Sequence, residues 1–328
     1  MVLISVIMPA FNASKYIREA INSILNQTES NFELLICDDG STDDTFKIIN
    51  SFSDKRIIVF QNKINLGNLQ TTNFLLAQCK GKYITIQDAD DYSSSNRFSN
   101  LINEFLEDKT LGMVGSNYEV INEKNESLLC GNLPLDDREI KEEMKKKVIP
   151  MLYAGVMIKK EILKEVGFFR VFFNRKGFAD LDWLARCAEL TKTKNSRDCL
   201  YFYRKHENSF TEIHAKKSSL IFDNIHLLIV TAHLERMQGK IDFFEKKDTH
   251  EMKKIICQYY IKRAENLFWE HKIHGSFSNL FKALQANFLE AKVYKTFFFI
   301  FRKNLYRLLK NQSKLKLNIF INVINTII

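Results

Sequence analysis

Lys82-Tyr83-Ile84-Thr85-Ile86-Gln87 runs directly into Asp88-Ala89-Asp90-Asp91. The first six residues have the apolar, β-branched and aromatic character of a buried strand, so three carboxylates crowd its mouth. Like charges a few ångströms apart repel strongly unless a proton or a metal lies between them. A hard divalent ion held by one or two carboxylates completes its shell with substrate phosphates, and the stretch reads as a metal-diphosphate site. The same residues also suit a helix start, with Asp91, Ser93, Ser94 and Ser95 ahead of an apolar run at Phe98, Leu101, Ile102 and Phe105.

Working outward, strand and helix periodicities alternate through the first hundred residues. Leu3 to Met8 predicts a strand, and Ile17, Ala20, Ile21, Ile24 and Leu25 predict a helix. Glu33 to Cys37 (strand), Thr45 to Phe52 (helix), Ile57 to Phe60 (strand), Leu69 to Cys79 (helix) and Phe98 to Leu106 (helix) follow. Such alternation implies an α/β fold, a mostly parallel central sheet with helices on both faces. Ligands of such sheets bind beyond the carboxyl ends of the strands. The polar clusters fall there: Pro9-Ala10-Phe11-Asn12, Asp38-Asp39-Gly40-Ser41-Thr42-Asp43, and Asp88 to Asp91. Taken alone, the second cluster also suits an ordinary turn with Asp43 as a helix cap. Later in the chain, Met113 to Ile121, Ala154 to Ile158 and Leu200 to Tyr203 read as strands, and Lys160 to Val166 and Asp180 to Leu190 as helices.

With 328 residues, 45% hydrophobic and 27% charged, the chain suits a soluble globular protein of one large or two ordinary domains. Its six cysteines form no Cys-x-x-Cys pair, which argues against a zinc site or disulfide framework and for reduced, cytoplasmic thiols. Val2 to Met8 carries no basic leader and reads as the first strand. The net charge of +9 is uneven: 9 Lys/Arg against 11 Asp/Glu in residues 1–100, 19 against 18 in 101–210, and 20 against 10 in 211–328. A uniformly basic nucleic-acid binder would not look like this, so no nucleic-acid partner is expected. The pattern suits a near-neutral catalytic domain over residues 1–210 and a basic helical region over 211–328.

Four motifs occur in order: Val6-Ile7-Met8-Pro9-Ala10-Phe11-Asn12 with Ser23-Ile24-Leu25-Asn26-Gln27-Thr28; Cys37-Asp38-Asp39-Gly40-Ser41-Thr42-Asp43; Asn65-Leu66-Gly67 leading through Gly81 to Asp88-Ala89-Asp90-Asp91; and Asp180-Leu181-Asp182 with Arg186. On these the N-terminal two-thirds resembles a family two glycosyltransferase of the A-type, nucleotide-diphospho-sugar-binding fold. The resemblance implies a donor site drawn from Pro9, Asn12, Asp38, Asp39, Asn65, Gly67, Asp88, Ala89 and Asp90, with Asp39 at the base edge. It implies Mn2+ or Mg2+ on Asp90, with Asp88 sharing the metal or binding the ribose. His206, in Tyr203-Arg204-Lys205-His206-Glu207-Asn208-Ser209, would ligate the metal or touch the diphosphate, and Arg204, Lys205 and His214 compete for a phosphate role. Asp180 is implied as general base, and Asp182 is the fallback because the Glu usual before this Asp is Ala179. Gly155 would wall the acceptor pocket. Residues 1–110 would form the nucleotide-binding half and 111–210 the acceptor half. Arg97 could reach a phosphate from the helix after the metal motif, and a solvated face is the reading preferred for it.

The implied activity is inverting, metal-dependent transfer of a sugar from a nucleotide diphosphate, with UDP the expected carrier. The acceptor would be a saccharide or lipid-linked saccharide in surface polysaccharide or glycolipid synthesis. No Gln-x-x-Arg-Trp motif occurs, so transfer of one or few sugars is expected. Two alternatives stand beside it. A sugar nucleotidyltransferase would carry a Gly-rich, Arg-containing phosphate loop after the first strand, and Pro9 to Asn12 has none. A non-catalytic membrane-surface module would have no need of Asp39, Asp88, Asp90 and Asp180.

Residues 290–328 hold eight basic residues and one acid, Glu290. The apolar run Phe297 to Phe301 and the uncharged tail Leu317 to Ile328 fall short of the ~20 residues that span a bilayer. A basic amphipathic segment on an anionic membrane surface, at the cytoplasmic face, fits this composition. Packing on the catalytic domain or on a homodimer partner fits it equally.

Overall fold

The computed structural model describes residues 2–145, 150–174, 177–207, 209, 229–230, 232–239, 244, 250–269, 273–287 and 289–310. The chain divides into two compact units, Met1–Lys216 with Ile229–Gly239, and Lys217–Leu228 with Lys240–Ile328. The boundary expected near 210, His214 and the tail 317–328 lie outside the described residues.

In the first unit β1 (Ile4–Ala10), α1 (Ile17–Leu25), β2 (Phe32–Asp38), α2 (Thr45–Ile49), β3 (Ile57–Gln61), α3 (Asn68–Gln78) and β4 (Tyr83–Ile86) follow in turn. The strands form a parallel sheet in the order β3-β2-β1-β4. Every residue of β1 and β2 is buried, because helices cover both faces and a strand so placed must be apolar throughout. Ile4, Val6 and Met8 meet Ile17, Ala20, Ile21 and Ile24 of α1 on one face. α3 packs on the other. A nine-residue helix is marginal alone, so α1 owes its order to this burial, about 1.5–3 kcal/mol for each large side chain.

The chain continues through β5 (Tyr92–Ser93), α4 (Arg97–Glu107), β6 (Leu111–Ile121), β7 (Ser127–Cys130), α5 (Asp137–Lys145), β8 (Met157–Lys159), α6 (Lys160–Val166), α7 (Ala179–Leu190) and β9 (Lys192–Arg204). The sheet extends past β4 as β8-β6-β9-β5, with β7 beside β6. β8 is antiparallel to β4 and β6, β9 is parallel to β6, and β5 is antiparallel to β9. The first half is therefore the parallel α/β sheet expected, and the second half is mixed.

Three local expectations change. The acidic stretch does not start a helix: Asp91 precedes the short β5, and α4 begins only after Asn96. Ala154 to Ile158 is a tight turn over Tyr153–Gly155 followed by β8. The short last strand is a 13-residue strand, β9.

The second unit contains α8 (His250–Trp269), α9 (Ile273–Ala286) and α10 (Ala291–Lys310). Cys257, Ile261, Ala264 and Phe268 of α8 share a core with Phe277, Leu280 and Ala283 of α9 and Val293 and Ile300 of α10. Among the described residues no helix is long and apolar enough to cross a membrane.

Candidate active site

Register brings the polar clusters to one edge. Ala10 lies level with Asp38, and Ile7 with Ile86, so the loops leaving β1, β2 and β4 emerge side by side. The first two are stitched together. The Asn12 amide donates to Ser41 Oγ (2.9 Å), Asn12 Oδ1 accepts from the Thr42 amide (2.9 Å), and the Ala13 amide donates to Thr45 Oγ1 (2.8 Å). Asn12 itself has φ +49°, a left-handed conformation that asparagine tolerates. Pro9 and Ala89 are buried in the wall, and Phe11 stands 45% exposed beside them.

The second and third motifs interlock for a physical reason. Asp39 Oδ1 accepts from the Leu66 amide (3.0 Å) and Asn62 Nδ2 (2.8 Å), and Oδ2 accepts from the Gly67 amide (2.9 Å), just ahead of α3. A carboxylate suits a helix N-terminus. Gly67 needs φ +97° to enter the helix there. A Cβ on Gly40 would lie 2.8 Å from the Ile64 carbonyl carbon and 2.9 Å from the Asn65 nitrogen, so only glycine lets the two loops close. Asp39 thus holds the loop carrying the half-buried Asn65, and Asp38 is pinned by the Ser41 amide and Gln61 Nε2 (both 3.3 Å).

The acidic stretch after β4 is braced from behind by two buried arginines. Arg204, at the end of β9, donates its amide to Asp91 Oδ1 (2.7 Å), Nε to the Asp90 carbonyl (2.9 Å) and Nη2 to Glu19 (2.6 Å), and also bonds Asn125. Its guanidinium stacks over Tyr16 at 4.8 Å. It is thus a brace, one of the three residues weighed for a phosphate role and here committed to protein acceptors. Arg97 is fully buried rather than solvated. It donates to Thr85 Oγ1 (2.6 Å), Gln87 Oε1 (3.2 Å), Ser93 Oγ (2.9 Å) and the carbonyls of Ile86 (3.0 Å) and Ala154 (2.7 Å). One side chain therefore ties β4, β5 and the Tyr153–Gly155 turn together. Gly155 is the buried end of that turn.

Asp90 and His206 come together, with His206 Nε2 2.9 Å from Asp90 Oδ2, and the imidazole lies 5.0 Å from the Tyr16 ring. Asp90 keeps a third of its side chain exposed. Asp88 is half-buried, with the Tyr201 hydroxyl 3.1 Å from its amide. Burial, then Asp90, then Asp180 push its carboxyl up to about 7. The buried Asp91 carboxyl is also raised, by burial and by Asp90 and Asp88. Asp180, in the first turn of α7, is raised by burial, partly offset by the amides of Leu181 and of its own residue. Tyr153, hydrogen-bonded to Thr72, lies in electrostatic reach of both Asp88 and Asp180, and burial with both charges raises its phenol.

Asp182 cannot serve as the fallback base. It is fully buried, with Oδ1 on Arg170 (2.8 Å) and Oδ2 on Arg186 (3.0 Å). Arg186 also donates to the carbonyls of Val166 (2.6 Å) and Phe168 (2.9 Å), so this pair fixes the approach to α7. Removing either partner would strand a buried charge.

No set of three His, Cys, Asp or Glu side chains among the described residues forms a ready metal cage. The donors nevertheless fit a hard cation that completes its shell with phosphate oxygens, since Asp90 is accessible and the Asp88 carboxyl, buried beside Asp90 and Asp180 and only partly offset by Arg97, would ionise more readily with a cation beside it. That ionisation has a measurable cost. The native Asp88 carboxyl holds its proton up to about pH 7, and an unfolded one releases it near ~4. Between those values the folded state binds more protons, so stability falls as pH rises through that window. Asp88→Asn should raise the Tm of metal-free protein by a few degrees, roughly, at pH 8, and the gain should shrink toward pH 4. Equal Tm values at pH 8 by differential scanning fluorimetry would refute this cost of ionising a buried carboxyl beside Asp90 and Asp180.

A family model, Glycosyl transferase family 2, matches residues 5–167, the span from β1 through α6. The UDP-Glc:alpha-D-GlcNAc-diphosphoundecaprenol beta-1,3-glucosyltransferase WfaP of Escherichia coli is 31% identical over 209 residues, 64% of this chain and 80% of that protein. The chain belongs to glycosyl transferase family 2. It is therefore a glycosyltransferase. Several other relatives of this enzyme are matched over less than half their own length. S. aureus TarS 1-349, solved in complex with UDP-GlcNAc, has the same fold: TM-score 0.56 at 17% identity, covering 84% of this chain and 89% of that one. So does the mannosyltransferase PcManGT from Pyrobaculum calidifontis, solved with GDP-Man and Mn2+: TM-score 0.52 at 16% identity, covering 93% and 80%.

Sequence reading missed Tyr153 and Tyr201 as parts of this site and set Arg97 on a solvated face. For Arg97 a signal existed, an arginine four residues after Ser93 and flanked by the apolar face of α4.

Proposed function

We propose that this glycosyltransferase moves a sugar from a UDP-linked donor to a hydroxyl of a saccharide or lipid-linked saccharide in one inverting displacement, in surface polysaccharide or glycolipid synthesis at the inner face of the membrane. The observation that carries this is the meeting of Asp88, Asp90 and His206 with Asp180 at the carboxyl edge of the parallel strands. Residues 1–110 would hold the nucleotide and 111–210 the acceptor, and residues 211–328 would form a separate helical region. Both WfaP and TarS are named with UDP-linked compounds, which favours UDP.

The Pro9–Asn12 loop and the Asp39-braced Asn65–Gly67 loop would enclose the base, with Phe11 offering an exposed ring face. Asp90 and Asp88, with His206 adjoining, would hold Mn2+ or Mg2+, which supplies charge neutralisation for the departing diphosphate. Asp180 would accept the acceptor's hydroxyl proton as that oxygen bonds to the anomeric carbon. The electron pair of the breaking anomeric carbon–oxygen bond leaves with the diphosphate. The raised carboxyl of Asp180 makes it a better base than an ordinary carboxylate. Arg97 and Arg204 contribute rigidity to the acidic loop, and Arg186 with Asp182 sets the direction of α7.

Thermal shift with a panel of nucleotide-sugars, each with and without Mn2+, tests this. At a hundred times Kd a ligand stabilises by ~2.7 kcal/mol, so a UDP-sugar with Mn2+ should raise the Tm by several degrees, and the same sugar without metal by less. Stabilisation by no nucleotide-sugar, or by all alike without metal, would overturn the donor assignment.

A further inference from the structure

The two sides of α10 differ in a way that packing within its own unit does not explain. Val293, Thr296 and Ile300 are buried and Phe297 and Phe301 partly so, which is the face turned to α8 and α9. The opposite arc carries Lys292, Tyr294, Lys295, Phe298, Phe299, Arg302 and Lys303, all exposed. Phe298 is 67% exposed. Trp269, at the end of α8, is 58% exposed with its ring 6.2 Å from Phe299, and the Lys303 ammonium lies 6.0 Å over that same ring. The patch therefore crosses two helices.

A solvated helix face normally mixes both signs of charge and keeps large apolar groups inward. Here the sequence from 291 to 310 has no acid at all, and the basic residues flank aromatic rings. Aromatic rings favour the headgroup level of a bilayer, where lysine and arginine meet anionic phosphates. We infer that the outward arc of α10, with Trp269, is a docking surface for an anionic lipid bilayer, on which the second unit lies without crossing it. The charge complementarity selects lipid over a second copy of the chain, whose own patch would be equally positive. The inference stands apart from the donor site, and the two can fail separately.

The full chain should co-sediment with phosphatidylglycerol-containing vesicles and not with phosphatidylcholine alone. Each basic residue near an anionic leaflet contributes roughly a five-fold factor in binding, so K295Q/R302Q should weaken partitioning about 25-fold. F298S should weaken it as well. Both variants change exposed side chains and should keep the wild-type Tm and its shift with nucleotide-sugar. Equal binding to neutral vesicles, no binding to anionic ones, or unchanged partitioning of both variants would overturn the inference. So would gel filtration showing a dimer that either variant dissociates, because a second copy would then cover the face. Vesicle binding with no response to any nucleotide-sugar would uphold this surface while removing the donor assignment.

Discussion

Asp90→Ala is expected to lower kcat for sugar transfer by about a thousand-fold, equivalent to ~4 kcal/mol of transition-state stabilisation. Asp90 is the carboxylate of the acidic stretch that is both accessible and paired with His206 Nε2 at 2.9 Å. Asp91 is buried and committed to the Arg204 amide. Asp88 is half-buried beside two other carboxylates. Because Asp90 is partly exposed, the variant should fold with a Tm close to wild type, so the loss will report chemistry and not collapse. The check is a steady-state transfer assay across a Mn2+ titration: the variant should need more metal to reach a far lower maximum. Donor turnover equal to wild type would remove Asp90 from the metal-diphosphate role.

Asp180→Asn should cost kcat roughly 10²–10⁴-fold and leave donor affinity nearly intact, since proton transfer is made only on the way to the transition state. The pH profile adds a second readout. The carboxylate must be ionised to accept a proton, and burial holds its pKa above the ordinary value. Wild-type kcat should therefore fall on acidification at a pH above ~4, the region where an exposed carboxylate would titrate. In the Asn variant that acid limb should disappear from the residual rate. A variant that keeps both rate and limb would transfer the role of base elsewhere. Asp182 would not inherit it, being locked between Arg170 and Arg186.

Much of the first hundred residues is readable from sequence because the physics there is local. A strand buried on both faces must be apolar along its length, and β1 and β2 are; α1 repeats its apolar residues at helical spacing. Elements held by long-range pairing are harder to see. β5 is two residues long and exists because Tyr92 and Ser93 pair with Phe202 and Tyr201. The first half of β9, Lys192-Thr193-Lys194-Asn195-Ser196-Arg197-Asp198, has the composition of a loop. It is a strand because β6 supplies a parallel partner and because Asn195 Nδ2 satisfies the carbonyls of Pro134 and Pro150. Site residues divide in the same way. Asp39, Gly40 and Gly67 form a recognisable pattern because each is demanded by backbone geometry. Arg97 was misplaced because an arginine is seldom fully buried, and only five acceptors arranged in three dimensions reverse that expectation. Asp180 and Asp182 are two residues apart with equal chemistry, and only tertiary pairing separates the proposed base from the brace.

The brace at the end of β9 bears on biosynthesis. Arg204 and His206 reach back across more than a hundred residues to Asp90 and Asp91. During translation a nascent chain can assemble its N-terminal strands early, yet the acidic loop lacks its clamp until residue 206 has left the ribosome. On the proposed assignment of the acidic loop to the donor, a fragment ending before residue 204 would lack this clamp and should bind nucleotide-sugar weakly.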